Sequence, residues 1–143
     1  RVNNPANLGA ILRTAEASGV RTVITSAGSA DAFSPKALRA SMGSAFRLRV
    51  VEKADEHEVI TDARRAGFLV SGTKADGATA HTAIDWKQNR LLIFGSEASG
   101  ISPELEAALD ERIAIEMEKP VESLNLAVSA GVILFEARRQ FYG

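Results

Sequence analysis

Residues 121–140 read VESLNLAVSAGVILFEARRQ, and the reading of this stretch decides the fold. From Leu124 to Phe135 it is apolar almost all round, interrupted only by Asn125, Ser129 and Gly131. A surface helix keeps one polar face, whereas a helix apolar on every side is buried on every side. One sheet covers one face, so the pattern predicts a further covering element, read here as a second subunit. Asn125 then stands at the start of a buried helix, where its amide must find hydrogen-bond partners. Ser123 and the free N–H groups of the first turn are its neighbours, and such a helix start can hold an anion or a polar ligand.

Outward from this helix, the totals describe an ordinary globular chain. Its 143 residues suit one domain with one substantial core, and 45% hydrophobic with 24% charged residues is typical composition. No apolar run reaches the length of a membrane span and there is no signal-peptide pattern. With no cysteine there is no disulfide and no thiolate metal site. His57 and His81 form no ligand cluster and read as ordinary surface residues, so no metal is expected. These features together predict a cytoplasmic protein. The formal charge of −1 argues mildly against nucleic acid, because phosphate contacts need Lys and Arg. Distribution matters more than the total. Lys36, Arg39, Arg47, Arg49 and Lys53 crowd one interval with only Glu52 opposing them, and acids gather between Glu104 and Glu118. The interval is either a basic face or a solvated charged stretch.

The chain opens with a helix. Asn4 can cap it, Pro5 suits its first position, and Gly19 suits the left-handed residue that ends it. Leu8, Ile11, Leu12 and Ala15 share a face at helical spacing, with Arg13 off that stripe near Gly9. A glycine costs helix stability, so its presence predicts the close approach of another group. Val20–Thr25 reads as a strand. Ser34-Pro35 opens a short helix, residues 41–44 turn, and Phe46–Val51 alternates as a strand should. Asp55–Ala66 is helical and Phe68–Ser71 extended. Gly72–Ala83 is a polar loop whose glycine spacing is not that of a phosphate loop. Trp86 packs at an edge. Leu91–Phe94 is a continuous apolar run, as in a buried parallel strand, followed by glycines that let the backbone turn sharply and approach a ligand. The dinucleotide-binding glycine pattern is missing there. Ser102-Pro103 caps a helix to Leu109, Glu111–Ile115 is the last strand, and a loop leads to the final helix. Alternating strands and helices predict an α/β fold, a parallel sheet with helices on both faces.

Three short patterns stand in order along this framework. The first is Asn7-x-Gly9-x-x-x-Arg13-x-Ala15. The second is Phe94-Gly95-x-Glu97-x-x-Gly100. The third is Glu122-Ser123-Leu124-Asn125, leading into a helix that closes with Phe135-Glu136-x-x-Arg139-Gln140. Together they resemble the three motifs of the SpoU/TrmH-type RNA 2′-O-ribose methyltransferases, members of the SPOUT superfamily, across essentially the whole chain. Two positions depart from the pattern. Many relatives carry Gly where this chain has Ala98, and Ile-Pro-Met where it has Ile115-Glu116-Met117. A third difference lies at the start, where the apolar strand that usually precedes the first motif is reduced to Arg1-Val2. The expectation is that residues 1–143 are a catalytic domain lacking an N-terminal strand and an RNA-binding region.

The resemblance implies a C-terminal trefoil knot, which no periodicity could reveal, and a homodimer with its site at the interface. It implies S-adenosylmethionine as cofactor and RNA as substrate, with ribosomal RNA favoured over transfer RNA. Arg13 would be the main catalytic residue and Asn7 would shape the substrate side. Glu97, Ser123 and Asn125 would complete the active site. Gly95, Gly100, Ile115 and Leu124 would contact the cofactor. Arg39, Ser41 and Arg47 fall in a basic segment that lies near the RNA side in relatives, and are expected to meet phosphates. Two competing readings are a non-catalytic RNA-binding module of the same fold and a methyltransferase for a small molecule or protein. Donor binding without turnover would mark the first. A methylated product resistant to ribonuclease and alkali would exclude the second.

Overall fold

The structure is a computed structural model and describes residues 1–76 and 78–143. Gly77, inside the expected Gly72–Ala83 loop, lies outside the described residues. The first helix, α1 (Pro5–Ser18), begins and ends as its sequence requires. Asn4 Oδ1 accepts the Ala6 N–H at 2.9 Å, and Gly19, at φ +95°, turns its N–H back onto the last carbonyls. Its buried face is Leu8, Gly9, Leu12, Ala15 and Ser18. A Cβ on Gly9 would stand 2.4 Å from the Ala37 carbonyl oxygen and 2.6 Å from Ala40 Cβ. The group whose approach this glycine predicts is therefore the short helix α2 (Pro35–Ser41), capped by Ser34.

After β1 (Thr22–Ser26) and α2 the chain departs from the expected pattern. Phe46 and Arg47, expected to open a strand, belong instead to a helical turn, α3 (Ser44–Arg47), and β2 runs over Arg49–Ala54. The alternation of residues 46–51 loses to tertiary contacts with α1. Ser44 Oγ donates to Glu16 Oε2 at 2.6 Å, and Arg47 forms a two-pronged ion pair with the same carboxylate. Both contacts hold residues 44–47 curled toward α1, leaving Phe46 on the outside, 71% exposed.

The remaining elements are α4 (Glu56–Arg65), β3 (Leu69–Thr73), β4 (Thr79–Ala80), a 3-10 turn (His81–Ala83), β5 (Arg90–Ile93), α5 (Pro103–Ala107), β6 (Glu111–Ala114) and α6 (Leu126–Tyr142). All strand pairings are parallel, but they form two sheets instead of one. β1 pairs with β2, and the other four strands are ordered β4-β6-β3-β5. Expected as a buried strand, β5 is an edge strand here. It pairs with β3 alone among the described residues, and Leu91 to Phe94 are half-buried. Its side chains alternate between two cores, as a pleated strand dictates. Leu91 and Ile93 pack with Ile60 of α4 and with Leu105 and Leu109, around α5. Leu92 and Phe94 join Ile113 of β6 and Ile133 and Ala137 of α6. Helices thus cover opposite faces of the four-stranded sheet.

α6 starts at Leu126, five residues later than Val121, because Asn125 caps it from an exposed position. Two of its flanks are covered by this chain. Leu134 packs on the α1 core, and Ile133 with Ala137 on the sheet. A third flank, Val128, Val132 and Phe135, is open to solvent at 52%, 37% and 49% exposure. The expectation of a helix buried on every side is therefore not met within the single chain. Its C-terminal turns are fastened by polar contacts. Glu136 accepts from Arg139 and Gln140, and Gln140 Oε1 accepts the Trp86 N–H at 3.2 Å. Trp86 is buried, its Nε1–H donating to the His81 carbonyl at 2.8 Å, so it is a packing residue.

Candidate active site

The carboxyl ends of β5 and β6 open into two loops, and most of the candidate residues sit on them. In open α/β sheets this end is where ligands bind. Beyond β5 the chain reverses on itself. Ser96 and Gly100 exchange backbone hydrogen bonds at 3.0 and 2.9 Å, and Gly100 takes φ +66°. A Cβ on Gly95 would lie 2.2 Å from the Gly100 carbonyl carbon and 2.5 Å from Ile101 N. The close approach that demands glycine at position 95 is thus made by the chain's own backbone. The reversal carries Glu97 outward at its exposed tip.

Glu97 is met there by α1. Asn7 Nδ2 donates to Glu97 Oε1 at 2.6 Å, and Asn7 Oδ1 accepts from Asn125 Nδ2 at 3.3 Å. Asn125 Oδ1 in turn accepts the N–H groups of Ala127 and Val128, the first free donors of α6. Each amide uses both of its ends, so one hydrogen-bond chain fixes the orientation of Glu97, Asn7, Asn125 and the start of α6 together. The three residues lie 118 positions apart at the extremes; Glu97 and Asn125 are exposed and Asn7 is half-buried. Arg13, nearly two turns along α1 from Asn7, is exposed, and its guanidinium makes no hydrogen bond or ion pair among the described residues. Ser123 is exposed in the loop before α6, likewise without a hydrogen-bond partner among the described residues. Ile115 is half-buried at the end of β6, on the rim of the sheet core, and Leu124 is 37% exposed.

The three expected phosphate contacts divide. Arg39 is exposed in the last turn of α2. Ser41 is fully buried, with its Oγ donating to the Leu38 carbonyl at 3.0 Å, so its hydroxyl is spent inside the helix and cannot face a phosphate. Arg47 is held by Glu16 at 2.6 and 2.8 Å, which raises its pKa further and keeps the Glu16 carboxyl below its ordinary value, with Ser44 adding to that lowering. Glu16 is the acid the sequence reading omitted. It lies 31 positions from Arg47, and only the α1–α3 packing joins them.

The opposite end of the sheet is polar as well. Arg90 is buried to 5% side-chain exposure, bonded to Glu111 and to Ser71 Oγ at 2.6 Å, with its guanidinium 5.1 Å from the Trp86 ring centre. Burial lowers its pKa, and the Asp85 charge opposes that. A cleft of roughly 360 Å³ beside it is lined by Thr79, Asp85, Asp110, Glu111 and Arg112. Thr79 opens β4, Asp85 precedes β5, and Asp110, Glu111 and Arg112 stand at the amino end of β6; the last three are ion-paired within the chain, and Asp85 accepts the Lys87 N–H. No group of three or more acid, histidine or cysteine side chains is arranged to hold a metal among the described residues. No described helix is long and apolar enough to cross a membrane.

Comparison with known proteins gives one consistent result. The model of the SpoU rRNA Methylase family matches residues 1–135. The chain is 36% identical, over 98% of its length, to the 23S rRNA (uridine(2479)-2′-O)-methyltransferase of Streptomyces viridochromogenes, covering 50% of that protein. It is 32% identical, over 96% of its length, to the 23S rRNA (guanosine(2553)-2′-O)-methyltransferase RlmP of Bacillus subtilis strain 168, covering 55% of it. The crystal structure of an AdoMet-bound rRNA methyltransferase from Sinorhizobium meliloti superposes with a TM-score of 0.92 at 37% identity, over 97% of this chain and 53% of that one. The chain spans about half the length of the curated relatives it matches.

Proposed function

The chain belongs to the SpoU rRNA methylase family, and from that membership we propose that it transfers a methyl group from S-adenosylmethionine to the 2′-hydroxyl of an RNA ribose, with ribosomal RNA as the favoured substrate. The observation that carries this reading is the Glu97–Asn7–Asn125 chain. It gathers one residue from each of the three motifs at the carboxyl end of the sheet, and packing alone gives three polar side chains, two of them exposed, no reason to converge there.

The residues present fit the cofactor. Residues 116–124 lie outside helix and strand, and among the described residues their backbone N–H groups make one backbone hydrogen bond, Val121 to Glu118. Val121 and Leu124, within this segment, are half-exposed. Exposed apolar side chains in a segment with unpaired amides suit adenine, a flat apolar ring with donors and acceptors on its edge. Gly95, Gly100, Ile115 and Leu124 would hold the molecule, which supplies an electrophilic methyl group on a sulfonium. The remaining work is positioning and proton removal. Fixed geometry can contribute roughly 7–11 kcal/mol of the barrier. A guanidinium holds its proton too tightly to be a good base. Arg13 instead clamps the phosphate beside the target ribose and stabilises the developing alkoxide. Asn7 holds Glu97 Oε1, which leaves Oε2 to take the hydroxyl proton. Asn125 and Ser123 orient the ribose from the start of α6.

The same reading includes a homodimer, supported by the open apolar flank of α6, a trefoil knot in the C-terminal segment, and action in the cytoplasm. The test is transfer of labelled methyl from S-adenosylmethionine to total cellular RNA by the intact protein. Label in a single 2′-O-methylnucleotide of ribosomal RNA is expected. Label in transfer RNA would move the target. S-adenosylmethionine binding without any label would replace the proposal with an RNA-binding module.

A further inference from the structure

Beside the helix that carries Asn7 and Arg13 stands an apolar patch that no step above uses. The rings of Phe33 and Phe46 lie 6.0 Å apart, tilted by 46°, and are 41% and 71% exposed. Met42, between them in sequence, is 65% exposed. One exposed apolar side chain needs no explanation, but two aromatic rings paired in the open, with a third exposed apolar residue in the same segment, do. Met42 adds a second oddity. It sits at φ 50°, ψ 39°, a left-handed conformation that glycine or asparagine would take at less cost. Local strain at an exposed residue points to function rather than to folding.

The surroundings are positive. Lys36 and Arg39 are exposed, and their side chains have no hydrogen-bond or ion-pair partner among the described residues. The two acids of the segment, Asp31 and Glu52, keep their charge but are turned to backbone, Asp31 accepting the Phe33 N–H at 2.7 Å and Glu52 the Ala32 N–H at 2.8 Å, and Lys36, Arg39, Arg49 and Lys53 outnumber them. The patch is also fixed relative to Arg13. α2 is pressed on Gly9, and Arg47 of α3 grips Glu16, one helical turn from Arg13.

Resting on the RNA reading above, we infer that Phe33, Met42 and Phe46 form a stacking platform for an unpaired base of the substrate RNA, with Lys36 and Arg39 holding the phosphates beside it. Proteins recognise RNA chiefly at unpaired bases, which stack on aromatic side chains inside a positive groove. A second copy of this chain is the poorer occupant. A self-complementary contact centred here would bring Lys36 and Arg39 against their own copies, whereas RNA neutralises both.

The experiment compares Phe46→Ala, Phe46→Trp and Lys36→Ala/Arg39→Ala in the intact protein. Three quantities are measured: binding of single-stranded oligouridylate across a salt series, S-adenosylmethionine binding, and sedimentation. Phe46→Ala should weaken RNA binding roughly five- to a hundredfold, with salt slope and cofactor binding unchanged, and Phe46→Trp should restore it. The double variant should instead flatten the salt slope by about 0.7 for each lost contact. Equal RNA binding by wild type and Phe46→Ala overturns the platform and leaves the methyltransferase reading intact. Loss of RNA binding that accompanies dissociation into monomers also overturns it, assigning the patch to a contact between copies. A wild-type protein that neither binds nor methylates RNA overturns both readings.

Discussion

At the scale of single residues, the hydrogen-bond chain through Asn7 makes the sharpest demands. Its amide donates to one carboxylate and accepts from one amide, so the two ends are not interchangeable. Asn7→Asp would set a second carboxylate 2.6 Å from Glu97 Oε1, replacing attraction with repulsion. Methyl transfer should therefore fall further in Asn7→Asp than in Asn7→Ala, measured in single turnover with cofactor saturating; equal losses would show that Asn7 does not orient Glu97. Arg13 carries a different prediction. As an electrostatic clamp its removal should cost at least about a hundredfold in transfer, while S-adenosylmethionine affinity, read by calorimetry, stays unchanged. Full activity of Arg13→Ala would end the clamp mechanism. Gly9 and Asn125 stand out from spacing and residue type alone, whereas Asn7, Arg13 and Glu97 are singled out only by the resemblance to the family's motifs. Arg47 is expected from sequence to meet a phosphate and is found paired with Glu16, because a charge visible in a sequence does not show its partner. Glu16 becomes that partner only when α3 folds against α1.

At the scale of elements, local rules predicted boundaries well where capping decides them and badly where tertiary contact does. Asn4-Pro5 and Gly19 bound α1 as read, and Ser102-Pro103 opens α5. Residues 44–47 coil despite an alternating pattern, because Ser44 and Arg47 both bond Glu16. Gly9 shows the same contest in testable form. In an isolated helix Gly→Ala gains about 1 kcal/mol. Here the new Cβ meets backbone of α2 at 2.4 Å, and overpacking typically costs about 1–3 kcal/mol. Gly9→Ala should therefore lower the thermal midpoint; a rise would mean that α2 yields freely. The end of α6 offers a pH test. The guanidinium of Arg139, with the Gln140 amide, holds the Glu136 carboxyl down from 4.5 to about 2. A depressed carboxylate adds stability above its unfolded pKa and loses it as pH falls through the folded one. The clamp should thus persist at neutral pH and fail between about 4.5 and 2. The Glu136 carboxyl titrated by NMR should show that midpoint, and Arg139→Gln should return it toward 4.5.

At the scale of the whole molecule, hydrophobic periodicity identified the α/β class but could not divide the strands. Leu91–Phe94 has the composition of a central strand, yet β5 lies at an edge and stays half-buried. Strand order depends on connections that leave no trace in local composition. The same holds for α6, whose apolar girth was legible and whose covering partners were not. Two flanks turn out to be covered from within, by α1 and by the sheet. The third, Val128-Val132-Phe135, repeats at helical spacing and stays about half-exposed among the described residues. Water against three large apolar side chains in a row is unfavourable by roughly 25 cal/mol per Å². A two-fold contact between copies would remove that cost, and it would bring two α6 helices, with the Asn125 at the start of each, into one interface. Val132→Glu places a charge in the middle of the stripe without touching the buried positions Leu126, Ala130 and Ile133. On the dimer proposed above, the variant should fold with unchanged circular dichroism, sediment as a smaller species than the wild type at equal concentration, and lose methyl transfer with that contact. A variant that is monomeric and fully active would place the complete site within one chain. One that remains dimeric would move the contact away from α6.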